Sequence, residues 1–228
     1  MLRSIFEYAV RNDYIEHSPM LSLSRVSKQF TKRGSNTSKY YSTAEVEQIL
    51  GSKDCSLFLS TYLHVAFLTG ARTGEILGLK WENLNFKNDE IFIEKSNSKG
   101  VLKETKTGTV RTIPLVDKLK LKLFEWKTVN TNSEFVFPNM KTNELIVNVY
   151  HHITKNEFKP FLSRLGIEYK TLYATRSSAA SRAMELNVPM NVVQNMLGHA
   201  ELNTTQRYYI KSGLQDKNVA KEYMNNLF

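Results

Sequence analysis

The sequence predicts a mainly α-helical fold with a small three-stranded antiparallel β-sheet set into it. Three observations carry that prediction. Apolar residues recur at helical spacing over most of the chain. Between Ile91 and Leu115 the pattern changes to short runs rich in β-branched residues, divided by Asn- and Gly-containing turns. Helical spacing then resumes towards the C-terminus.

Leu2, Ile5, Phe6, Ala9 and Val10 define an amphipathic helix from Leu2 to about Tyr14. A lone helix cannot bury its own apolar stripe. Residues 1–16 are therefore expected to be the last helix of a domain otherwise absent, through truncation or a boundary. Residues 17–40 form a basic linker. Arg25, Lys28, Lys32, Arg33 and Lys39 stand there with no acidic residue among them. Such a segment is a solvated loop or a strap along a phosphate backbone.

The compact domain is expected over 41–211. Ser42 and Glu45 have capping-box spacing and open a helix to about Leu50. Further helices are expected at about Ser56–Leu68 and Thr73–Leu79, with a turn at Thr69–Arg72 between them. Three strands follow, starting at Ile91, Gly100 and Thr109, with turns at Asn97–Gly100 and Thr107–Gly108. Helices then cover about Val116–Lys127, Val147–Leu165, Thr171–Leu186, Met190–Leu197 and Asn203–Ile210. Residues 212–228 form a tail with an amphipathic piece from about Asp216 to Leu227.

The chain has 228 residues and a net charge of +9, which suits a polyanionic partner, nucleic acid first; a basic protein without that role is the plain alternative. One cysteine, Cys55, excludes an internal disulfide framework and a cysteine-rich zinc site, and fits a reducing cytoplasm. It stands in an apolar run as a small core residue. No apolar run has the length of a membrane span, and the charged start is no signal peptide. His64, His151 and His152 lack ligand-like spacing, so no metal site is expected.

The chemistry concentrates in a few positions. Leu197-Gly198-His199 is followed, nine residues after the histidine, by Tyr208, with Tyr209 beside it. A tyrosine hydroxyl is a poor nucleophile near neutrality, with an unperturbed pKa of about 10, unless cationic groups surround the phosphorus it attacks. Arg72, Lys106, Arg176 and His199 supply such groups, and together they suggest strand cleavage through a phosphotyrosine. Arg72 stands at a helix entrance, where a guanidinium clamps phosphate with two parallel bonds or simply pairs with Glu75. Lys106 lies at the tip of the hairpin expected between the second and third strands. Lys103 on the same strand is its rival, with Lys99 and Lys95 weaker ones. Arg176 is followed by small residues, Ser177 to Ser181, which let another element pack close. An arginine in so crowded a place needs a phosphate or a carboxylate. Tyr173, three residues earlier, shares its helix face or packs in the core. Gly198 is expected to end its helix in a left-handed cap and to place His199 at the next helix entrance. Tyr208 and Tyr209 point in different directions on one helix, and periodicity does not choose between them.

Thr69-Gly70-Ala71-Arg72-Thr73-Gly74-Glu75, a lysine hairpin ending in Arg111-Thr112-Ile113-Pro114-Leu115, Tyr173-x-x-Arg176, Leu197-Gly198-His199 and Tyr208 resemble, in order and spacing, the catalytic domain of tyrosine recombinases, the phage integrase family. The resemblance runs from about Tyr40 to Lys211. It implies the fold shared with type IB topoisomerases, and a first helix belonging to a core-binding domain. It implies that Arg72 and Arg176 hold the scissile phosphate, that Lys106 is the general acid for the leaving 5′-hydroxyl, that His199 bonds a non-bridging oxygen, and that Tyr208 is the nucleophile. The family usually has histidine where Tyr173 stands. A tyrosine there still donates or accepts a hydrogen bond. The implied activity is site-specific recombination of a mobile element through a 3′-phosphotyrosine, with no cofactor and no ATP. The implied partners are double-stranded DNA attachment sites, a tetramer assembled on DNA and an accessory bending or directionality factor. The implied tail docks on a neighbouring subunit. A type IB-like topoisomerase and a catalytically silent DNA-binding module of the same fold are the alternatives.

Overall fold

The computed structural model describes residues 2–20, 40–105, 110–198 and 217–227. The chain divides into two units, residues 1–37 and 38–228. In the first, helix α1 (Leu2–Arg11) is amphipathic and has no buried residue.

The second unit is built round one helix. Leu-Phe-Leu-Ser-Thr-Tyr-Leu-His-Val-Ala-Phe-Leu-Thr has no glycine or proline and forms α3 (Leu57–Thr69), and apolar side chains cover its whole circumference. Such a helix is stable only when enclosed on all sides. Ser60 and Leu57 aside, every residue of α3 is buried. Four helices enclose it: α2 (Thr43–Gly51), α4 (Thr73–Leu77), α5 (Asp117–Val129) and α7 (Tyr173–Glu185). The Ser42 capping box opens α2 as its spacing predicts: the Ser42 hydroxyl accepts from the Glu45 amide at 3.2 Å, and the Glu45 carboxylate accepts from the Ser42 amide at 2.7 Å. Ser56 caps α3 in the same way, accepting from the Leu59 amide.

Among the described residues, five strands form two small sheets. Strands β1 (Leu84–Asn85), β2 (Glu90–Ile93) and β5 (Arg111–Pro114) make a three-stranded antiparallel sheet in that order, with buried Ile91 opposite buried Ile113. Strands β3 (Lys95–Ser98) and β4 (Val101–Glu104) form a separate hairpin. Its turn is Lys99-Gly100, both at positive φ, the two-residue geometry that matches strand twist. The expected three-strand order is corrected here. The second and third expected strands do not pair with each other. β4 turns back on β3, and β5 returns to β2. Asn97 decides this pairing locally: buried in β3, it donates to the Ile146 carbonyl and accepts from the Gly100 amide. Lys106 and the turn Thr107-Gly108 lie outside the described residues.

The helix expected over Val147–Leu165 is two pieces. A π-helical segment, Tyr150–Phe158, runs into α6 (Lys159–Arg164). Pro160 falls in the first turn of α6, where a missing N–H is tolerated. α8 (Met190–Leu197) ends at Gly198 in the left-handed conformation expected of it. The expected Asn203–Ile210 helix lies outside the described residues. Helix α9 (Lys217–Asn225) packs on its own unit: Tyr223, Met224 and Leu227 are buried in the core, and the Tyr223 hydroxyl donates to the Ala179 carbonyl. Lys221 pairs with Asp89, which also holds Lys120; these two ammonium groups keep the Asp89 carboxyl at about 2. Cys55 is half-buried at the edge of the core rather than within it. No helix among the described residues is long and apolar enough to cross a membrane.

Candidate active site

Three short structural events bring the candidate residues together. The first is the end of α3. Gly70 turns left-handed (φ 61°), and the chain re-enters a helix within three residues. Arg72 is therefore the N-cap residue of α4, with its guanidinium about one quarter exposed. The second is the start of α7, which carries Arg176 one turn in. The third is the end of α8 at Gly198.

Glu75 is the anionic centre of this cluster, 1 % exposed. Its Oε1 accepts from Arg72 Nη1 at 2.9 Å and from Arg111 Nη1 at 3.1 Å. Its Oε2 accepts from the Arg72 backbone amide at 2.9 Å and from Arg111 Nη2 at 2.5 Å. Burial pushes this carboxyl up, but the hydrogen bonds and charge of Arg111, with those of Arg72, outweigh burial and hold it below the usual carboxylate range. Arg72 thus pairs with Glu75, the ordinary role open to it from sequence. It also donates from Nη2 to the Gly198 carbonyl at 3.2 Å.

Arg176 is differently placed. Its side chain is buried, 3 % exposed. Nη1 donates to the Gly70 carbonyl at 2.9 Å, while Nε and Nη2 have no hydrogen-bond partner among the described residues. Burial first, and then the neighbouring Arg72 charge, pull the guanidinium down to about 10. A buried cation with two unused donors beside a second guanidinium is costly in a resting protein. An oxyanion held between Arg72 and Arg176 would satisfy both donors and offset the charge.

Tyr173 opens α7 at the surface, 60 % exposed, and is not the core tyrosine that helical spacing allowed. Lys103 is exposed on β4, and Lys95 is engaged with Glu104 across the hairpin. His64 is buried in α3, bonded through Nδ1 to the Ser60 carbonyl, and burial lowers its pKa. His151 and His152 sit edge to face on the π-helical segment. Lys106, His199, Tyr208, Tyr209, Arg25, Lys28, Lys32, Arg33 and Lys39 lie outside the described residues.

Sequence reasoning missed Arg111. Its Nε also donates to the Met196 carbonyl at 3.0 Å, so it joins β5, α4 and α8. The signal was present: Arg111 shares a strand face with Ile113, a position of the fully buried core, and a charge on such a face requires a partner.

Known proteins are similar to this chain in sequence and fold. The model of the phage integrase family matches residues 39–213. A tyrosine recombinase XerC-like protein of Caldanaerobacter subterraneus subsp. tengcongensis is 27 % identical over 261 residues, covering all of this chain and 64 % of that protein. Tyrosine recombinase XerD of Listeria innocua is 28 % identical, covering 97 % of this chain and 73 % of its own length. This chain thus spans about two thirds to three quarters of such relatives. Among solved structures, the Tn1549 transposon integrase superposes with a TM-score of 0.72 at 18 % identity, over 98 % of this chain and 76 % of that one. Lambda integrase does so with a TM-score of 0.62 at 19 % identity, over 88 % and 69 %. The fold and a family match across most of the chain agree: this chain belongs to the phage integrase family.

Proposed function

We propose that this protein is a site-specific DNA recombinase that cuts and rejoins strands of a mobile element through a 3′-phosphotyrosine. The observation that carries the proposal is Arg176, buried with two unused N–H donors next to Arg72. A scissile phosphodiester is the ligand whose geometry and charge answer both. In this mechanism the Tyr208 hydroxyl gives up its proton to water, its oxygen attacks phosphorus in line, and the P–O bond to the 5′-oxygen breaks. Lys106 gives its proton to that leaving oxygen. Charge that gathers on the non-bridging oxygens is met by Arg72, Arg176 and His199. Tyr173 hydrogen-bonds the phosphate from the start of α7. The phosphotyrosine keeps the bond energy, so a second 5′-hydroxyl restores the phosphodiester without ATP.

DNA is the proposed partner. Arg25, Lys28, Lys32, Arg33 and Lys39 of the linker would follow the backbone, with Lys103 beside them. Lambda integrase has been seen as a dimer on core-site DNA and as a tetramer on a Holliday junction, and the Tn1549 integrase with transposon right-end DNA. By analogy this protein assembles as a tetramer on its attachment sites in the cytoplasm, with an accessory bending or directionality factor. A silent DNA-binding module is favoured only by Tyr173 in the usual histidine place.

Covalent trapping on a nicked suicide duplex carrying the attachment site, or one selected from a sequence pool, tests the chemistry. A denaturant-resistant adduct is expected from the unaltered protein and from Tyr209→Phe, and none from Tyr208→Phe. Loss in Tyr209→Phe alone would move the nucleophile by one residue. DNA binding without any adduct would establish the silent module. Affinity is expected to fall at least about tenfold between 50 and 200 mM salt, because counterion release drives it. Filter binding that is tight and indifferent to salt would count against the backbone contacts.

A further inference from the structure

Arg111 has no role in the chemistry proposed above, yet its guanidinium bonds the cluster at three points. Both Glu75 oxygens accept from it, and its Nε closes on the Met196 carbonyl. It also lies flat under the turn that ends α8. A Cβ built on Gly198 would stand 2.9 Å from Arg111 Nη1 and 3.1 Å from its Cδ and Cζ. Gly198 has φ +67° and its carbonyl accepts from Arg72. One guanidinium on β5 therefore fixes a carboxylate on α4 and the Met196 carbonyl near the end of α8.

We propose that Arg111 is a positioning residue for strand cleavage, which shares the Glu75 carboxylate with Arg72 so that Arg176 and the N–H groups of Arg72 not spent on Glu75 and Gly198 stay available to phosphate. The proposal rests on the recombinase reading. Its logic is competition for one anion. Glu75 is a single buried negative charge among three guanidiniums. Each of its oxygens takes one bond from Arg111 and one from Arg72. With Arg111 in place all four are occupied, two by Arg111 and two by Arg72 Nη1 and the Arg72 amide, while Arg72 Nη2 donates to the Gly198 carbonyl. Without it, two acceptor positions open on a buried carboxylate whose nearest cations are Arg72 and Arg176. The carboxylate then occupies the donors that a phosphate needs. Glu75→Gln removes that competitor, so the second change relieves the first.

The test uses the full chain with Arg111→Gln, Arg111→Lys, Glu75→Gln and the double variant Arg111→Gln/Glu75→Gln. Circular dichroism first fixes a temperature at which each is folded. Two quantities are then read on folded protein: the rate of adduct formation at saturating suicide DNA, and the affinity for inorganic phosphate from the thermal midpoint. Arg111→Gln is expected to slow adduct formation and weaken phosphate binding by about tenfold or more, with a smaller change in DNA dissociation constant. Arg111→Lys keeps the charge but not the two-oxygen bond, and falls between. The double variant is expected to recover most of the lost phosphate affinity. Variants that lose thermal stability but keep both quantities per folded molecule would reduce Arg111 to a structural brace and overturn the proposal. So would a double variant that binds phosphate worse than either single one. If the unaltered protein forms no adduct, the recombinase reading fails by that result, and the phosphate series alone still decides whether Arg111 guards the arginines.

Discussion

Arg176→Met is expected to make the DNA-free protein more stable and to abolish strand cleavage. The two effects have one origin. Arg176 is 3 % exposed, and two of its guanidinium donors have no partner among the described residues. Burial and the Arg72 charge lower its pKa to about 10, so the charged form is penalised against an arginine in water. Methionine is shorter and unbranched, carries no charge and packs adaptably beside the small residues of α7. One hydrogen bond, to the Gly70 carbonyl, is lost, worth about 1 kcal/mol. The balance favours the variant by about 1–2 kcal/mol, a rise of several degrees in thermal midpoint for a domain of this size. Adduct formation is expected to fall about a thousandfold, the scale of removing one preorganised oxyanion donor. Phosphate supplies the reciprocal check. It should raise the midpoint of the unaltered protein, since it binds the folded state, and leave that of Arg176→Met unchanged. A variant both less stable and still able to cleave would place Arg176 in the framework rather than in the site.

Much of this architecture is written in local patterns. The apolar circumference of α3, the Ser42 capping box and the left-handed cap at Gly198 each depend on residues within one or two turns, and each is found where spacing places it. What depends on long-range pairing was less legible. The β3–β4 turn at Asn97–Gly100 is local and was legible, but nothing local says that β5 leaves β4 and returns to β2. That choice is made by Asn97, whose amide reaches the Ile146 carbonyl far along the chain, and by Ile113 meeting Ile91 in the core. Arg111 was missed for the same reason. Its significance is a contact with Glu75 and Met196, one on either side in sequence and both distant. Arg72 was legible as a helix-entrance arginine, but its simultaneous bonds to Glu75 and the Gly198 carbonyl were not. Tyr173 shows the limit of periodicity in the opposite sense: its spacing from Arg176 is helical, yet as the first residue of α7 it points to the surface.

Gly70→Ala is expected to damage stability and catalysis together, because one glycine serves both. At φ 61° a residue with a Cβ costs about 1 kcal/mol more than glycine. The added Cβ would stand 2.5 Å from Leu197 Cδ2 and 3.3 Å from the Ala179 Cβ, so the Leu197 side chain must give way. Leu197 is buried and is the last residue of α8, immediately before Gly198 and the segment that begins at His199. Displacing it moves the carbonyl that Arg72 holds. Gly70 also presents the carbonyl to which Arg176 donates. Strain at this one turn therefore reaches both paired arginines and the α8 end. A loss of about 2–3 kcal/mol in unfolding free energy is expected. Adduct formation per folded molecule should fall by about tenfold or more, the sensitivity of near-attack geometry to small displacements. Gly51→Ala is the control. It lies at the end of α2 with nothing within 4 Å of its added Cβ, and should be neutral or slightly stabilising. Chemical denaturation and suicide-substrate trapping on the two variants side by side separate the outcomes. If Gly70→Ala matches Gly51→Ala in both, the α3 turn does not set the arginines. If it is destabilised but cleaves at the normal rate once folded, Gly70 supports the fold and the arginines find their positions without it.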